Sequence, residues 1–132
     1  SGMAPAPKVP ETPGQIGWHE LHAGDGVGAF AFYSSVFGWT KAQAMDMGPL
    51  GVYQLFAIDG VDSGGMMTKM PEVPQPFWLY YINVPEIDAA AARVIAGGGK
   101  ILMAAHQVPG GSWIVNCTDP QGAFFALVAP RR

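Results

Sequence analysis

The sequence predicts an α+β fold assembled from two βαβββ modules, and three observations predict it. A strand, a helix and three strands occur in that order twice, so one architecture is built from two similar halves. The proline-rich stretch Pro71 to Pro76 separates the copies. A composition of 49% hydrophobic and 13% charged residues over 132 residues supplies one domain-sized core. Module one is expected over about 16–70 and module two over about 77–129, within a single domain at 15–132 that follows a Pro-rich tail at 1–14.

Each element follows from local chemistry. The tail carries four prolines and no apolar signal core; Ser1-Gly2 reads as a cloning remnant ahead of a native start at Met3. Ile16 to Ala23 is bounded by glycines and suits a first strand, whose alternation puts Trp18, Glu20 and His22 on one face and His19 and Leu21 on the other. Asp25 is placed to cap a helix. Its apolar positions Val27, Phe30, Tyr33, Val36 and Phe37 recur at helical spacing until Gly38 stops it. Strands follow at about Thr40 to Met47, Val52 to Ile58 and Ser63 to Lys69, divided by Gly48-Pro49 and Asp59-Gly60.

Module two opens on the aromatic and branched run Phe77 to Val84, a strand. Pro85 then suits a first helical turn, and Ile87, Ala91, Val94 and Ile95 form an apolar stripe ending at Gly97-Gly98-Gly99. Strands at Lys100 to Ala105, Ser112 to Thr118 and Ala123 to Val128 complete the unit, with Asp119-Pro120-Gln121-Gly122 as the last turn. His106-Gln107 is expected in the loop before the seventh strand.

Charge and cysteine content exclude several functions. With 7 Lys+Arg against 10 Asp+Glu and no basic cluster outside Arg131-Arg132, there is no electrostatic footprint for nucleic acid. No run is apolar enough to address a membrane. The one cysteine, Cys117, precludes an intrachain disulfide and a multi-cysteine zinc site, which fits a reducing cytoplasm; it reads as a buried structural residue. Gly24-Asp25-Gly26-Val27-Gly28 lacks the Lys-Ser/Thr ending of a phosphate loop and reads as a turn plus cap.

Asp25 before a helix, Phe32-Tyr33-x-x-Val36-Phe37-Gly38-Trp39 at its end, Asp88 opening the second helix, Gly97-Gly98-Gly99, and Asp119-Pro120-Gln121-Gly122 before the last strand come in a specific order. From Ile16 to Ala129 the chain thereby resembles the glyoxalase/bleomycin-resistance/extradiol dioxygenase (vicinal oxygen chelate) superfamily. Trp18-His19-Glu20-Leu21 and Gly64-Gly65-Met66-Met67 are similar to its glyoxalase-like bacterial branch. The resemblance implies eight strands curled into an open mixed sheet around a cavity, frequent homodimers and, in many members, a divalent metal held by His, Gln and Glu from four strands.

Carried onto this chain, those four ligand positions fall at Trp18, within Ser63 to Met67, near Leu79, and at Ala126, none of which donates to a metal. No metal and no cofactor are therefore expected. Glu20 and His22 are the candidate acid–base and ligand-orienting pair, with a hydrogen-bonded structural pair as the alternative. Trp18 and Trp113 are candidate aromatic walls or core, while Trp78 and Tyr80 read as core. Met66-Met67 suits an adaptable lining or an interface. The leading expectation is a cytoplasmic homodimer that binds a small, partly apolar molecule through Trp18, Glu20, His22 and Trp113. The rival is an enzyme, a lyase, isomerase or dioxygenase, either metal-dependent or using Glu20 and His22 as acid and base.

Overall fold

The computed structural model describes residues 12–132, and the expected tail and Met3 start lie outside the described residues as far as residue 11. The fold is α+β. Eight strands belong to one mixed sheet with two helices, in the βαβββ order repeated twice. Two compact units divide the chain, His19–Leu79 and the remainder, with Trp18 and Tyr80 falling to the remainder.

In the His19–Leu79 unit, strand β1 (Ile16–Ala23) pairs in parallel with β4 (Val61–Thr68), β4 pairs antiparallel with β3 (Val52–Ile58), and β3 with β2 (Thr40–Asp46). Helix α1 (Gly26–Phe37) begins where Asp25 accepts hydrogen bonds from the Val27 and Gly28 amides and stops at Gly38, whose φ of 74° is left-handed. Leu21, Ala23, Phe30, Phe56 and Met66 are the buried core beneath α1, joined by Tyr33, Trp39 and Trp78. Trp39 stacks on Phe56 at 4.3 Å, and Trp78 meets both edge-on. Trp78 is therefore core, as expected. Strand β4 starts earlier than expected because Asp59 and Gly60, both at positive φ, close a two-residue hairpin that pairs Ile58 with Val61.

In the other unit, the Tyr80–Asn83 end of β5 (Phe77–Asn83) runs parallel to β8 (Phe124–Ala129), which pairs antiparallel with β7 (Trp113–Thr118), and β7 pairs with β6 (Lys100–Gln107). Helix α2 (Ile87–Ala96) covers a core of Ile87, Ala90, Val115, Cys117, Leu127 and Ala129. Pro85 lies outside the helix rather than in its first turn. Ile87 is fully buried and its amide donates to the Arg131 carbonyl, which fixes Glu86 as the cap. Tyr80 is 44% exposed, against the expectation of core. His106 and Gln107 also depart from expectation: they pair with Ile114 and Trp113, because irregularities in register let β6 run on through Gln107.

Candidate functional site

Alternation along β1 separates two faces, and the burial of its residues assigns them. Leu21 and Ala23 belong to the core beneath α1, so Glu20 and His22 lie on the opposite face of the sheet. There the His22 Nε2 and Glu20 Oε2 are 2.7 Å apart, and the Tyr53 hydroxyl donates to Glu20 Oε1 at 2.9 Å. The side chains keep 19% exposure at His22 and 12% at Glu20. Phe77 stacks flat on the imidazole, with ring centroids at 4.5 Å and planes 2° apart. Met67, buried, is the register neighbour of His22, and Gly65 that of Glu20.

Gly65 explains how Tyr53 reaches Glu20. A Cβ at Gly65 points into the Tyr53 ring, so the phenol lies directly on the β4 backbone and carries its hydroxyl across to β1. Gly64, next along, faces the other way under Phe56. The Gly64-Gly65 pair is thus a seat for two aromatic rings, one on each face. Met66 and Met67 likewise divide between faces, Met66 in the core beneath α1 and Met67 beside His22.

The remaining candidates are placed as follows. Trp18 shares the Glu20 and His22 face by alternation and is half-buried. Trp113 is half-buried, packs against the core under α2 and takes the Arg132 guanidinium over its ring at 4.8 Å. His19 is on the helix side of β1, with Nδ1 3.0 Å from the Ser63 carbonyl. His106 sits on β6 with Nδ1 3.0 Å from the Ala104 carbonyl. Cys117 is fully buried, and burial pushes its thiol up to about 11.

Tyr53 and Phe77 are what sequence reasoning missed. A glycine pair inside a strand was the available signal for an overlying ring, but it does not say whose ring. A separate open groove of about 620 Å³ lies between α1 and β2, lined by Val27, Phe30, Ser34, Trp39 and Lys41. The Lys41 ammonium sits 5.5 Å from the Phe30 ring centre there.

Of the superfamily's donor types, β1 supplies Glu20 and His22 here. Glu20 and His22 are bound to each other, and among the described residues no three His, Cys, Asp or Glu side chains converge. The expected positions at Leu79 and Ala126 are buried apolar residues.

Comparison with known proteins agrees with this architecture. In the Streptomyces coelicolor methylmalonyl-CoA epimerase (E43Q) complex with 2-nitronate-propionyl-CoA, the match covers 89% of this chain and 98% of that one at a TM-score of 0.69 and 18% identity. The Mycobacterium tuberculosis methylmalonyl-CoA epimerase matches over 98% of this chain and 93% of its own at a TM-score of 0.66 and 18% identity. At these identities the likeness is one of fold. By sequence, the chain is 32% identical over 117 residues to the "Putative glyoxylase CFP32" of M. tuberculosis, covering 86% of this chain and 45% of that protein. It is 29% identical over 129 residues to the anthracycline biosynthesis protein DnrV of Streptomyces peucetius, covering 87% of this chain and 46% of that protein. The chain thus spans a little under half the length of these relatives. Residues 15–127 match the sequence profile of the Glyoxalase/Bleomycin resistance protein/Dioxygenase superfamily, and the chain belongs to that superfamily.

Proposed function

We propose that the chain binds a small, partly apolar molecule over the sheet face that carries Glu20 and His22 of β1, Tyr53 of β3 and Phe77 at the start of β5, and that it does so without the superfamily's metal. The observation that carries the reading is the Glu20, His22 and Tyr53 network beside a flat phenyl ring, polar groups that fix orientation next to apolar surface that supplies affinity. The metal-free part of the reading is supported by the described residues, among which no three His, Cys, Asp or Glu side chains converge. The relative named for anthracycline biosynthesis makes a planar, hydroxylated aromatic the first probe.

Titration of the metal-free protein with daunorubicin, followed by quenching of the drug's fluorescence, is expected to give saturable binding. His22→Ala is expected to weaken it about ten-fold, the size of one hydrogen bond plus lost stacking. Binding that needs added Fe(II), Ni(II) or Zn(II), or that ignores His22→Ala, refutes the reading.

The 2.7 Å contact between Glu20 and His22 also favours a second reading, a metal-free isomerase that uses the pair as acid and base. Lost turnover at unchanged affinity in Glu20→Gln separates that reading from binding alone. A cytoplasmic homodimer completes the proposal. It is supported by the uncharged α1, which leaves Val27, Phe32, Val36 and Phe37 exposed. Among the described residues no helix is long and apolar enough to cross a membrane.

A further inference from the structure

We infer that His22 presents the bare lone pair of its Nδ1 to the ligand, so that this face selects molecules carrying a neutral hydrogen-bond donor, a phenolic or enolic hydroxyl or an N–H, on a planar apolar body. This deepens the binding reading above and rests on it.

The inference starts at Glu20. Its Oε1 accepts the Tyr53 hydroxyl proton and its Oε2 lies 2.7 Å from His22 Nε2. A carboxylate accepts only, so the Nε2 must carry the hydrogen. In a neutral imidazole that places the lone pair on Nδ1. Among the described residues Nδ1 has no protein hydrogen-bond partner. Among the described residues no fully buried side-chain nitrogen or oxygen is left without one, so Nδ1 keeps some contact with solvent on a side chain that is 19% exposed. The coplanar Phe77 ring covers one face of the imidazole, and a hydrogen bond to the Nδ1 lone pair forms in the ring plane rather than through that face.

Glu20 is on this account a positioning residue: it fixes which nitrogen is protonated, and Tyr53 fixes Glu20. The atom that meets the ligand is His22 Nδ1. A ligand with an ether or carbonyl oxygen at that point sets lone pair against lone pair, whereas a hydroxyl or N–H completes the bond. Discrimination of about ten-fold between a hydroxyl and its methyl ether is the expected scale for one such bond.

The test uses ¹⁵N-histidine-labelled protein, in which the three histidines report separately on each ring nitrogen. His22 is identified by the signals lost in His22→Gln. The expected result is an Nε2–H tautomer at His22 with an unprotonated Nδ1. That Nδ1 resonance shifts on titration with β-naphthol and shifts little, at about ten-fold weaker affinity, with its methyl ether. Glu20→Gln, whose amide can donate as well as accept, is expected to make the His22 tautomers mixed, a change that a purely packing role does not produce. Tyr53→Phe, which keeps the ring on Gly65, is expected to retain the Nε2–H form and so guards against misreading a misfolded variant. An Nδ1–H tautomer, or equal affinity for both probes, overturns the inference and leaves binding at this face intact. A silent Nδ1 with both probes overturns it together with the binding reading.

Discussion

At Cys117 a single side chain sets how stability responds to alkali. The thiol is fully buried, and desolvation of the thiolate holds its pKa at about 11, above the ordinary thiol value. The folded chain therefore holds this proton more tightly than the unfolded chain does. The associated stabilisation is complete below the unfolded thiol's pKa and is lost as pH rises through the folded value. Urea unfolding at intervals between pH 8.5 and 11.5 is expected to show a decline on the order of 2 kcal/mol that Cys117→Ala abolishes. An identical decline in the variant assigns it to other groups. The sequence already announced a buried cysteine, because an apolar strand holding no basic neighbour has no use for a thiolate. The Glu20 and His22 pair was equally visible, since alternation alone puts residues two apart on one side. Tyr53 was not visible, for its bond to Glu20 spans 33 residues and depends on a register that local pattern does not contain.

At the scale of elements, β4 holds two adjacent glycines that leave no room for a side chain. A side chain at Gly65 must displace the Tyr53 ring, and one at Gly64 meets both the His19 carbonyl and the Phe56 ring. Gly65→Ala is expected to cost about 1–3 kcal/mol and to lower the melting temperature, as overpacking of a filled site does. The same substitution in a Tyr53→Ala background is expected to be nearly free, and an undiminished cost there places the strain elsewhere. Element boundaries with a chemical punctuation mark were legible in advance: the Asp25 cap and Gly38 stop of α1 fall where the residues demand. Boundaries set by tertiary contacts were not. Burial of Ile87 delayed α2 past Pro85, and irregular register carried β6 through His106.

For the molecule as a whole, the order of elements and the superfamily followed from the repeat, while the chemistry did not, because two positions where the resemblance leads one to expect ligands, Leu79 and Ala126, are buried apolar residues. A fold shared with epimerases is compatible with many functions. Assembly is open to direct measurement. Light scattering behind size exclusion is expected to give the mass of two chains, and Phe32→Asp, charging the uncharged exposed side of α1, to give one. A wild-type mass of one chain refutes the homodimer, and a dimer indifferent to Phe32→Asp moves the interface off α1. The glycine pair of β4 carries one more consequence. Tyr53 rests on one side of the strand, Phe56 on the other, and Phe56 is stacked on Trp39. The β4 main chain and the Phe56 ring are what separate the polar network from an indole, so a guest that nudges the phenol is expected to change the emission of Trp39 without touching it.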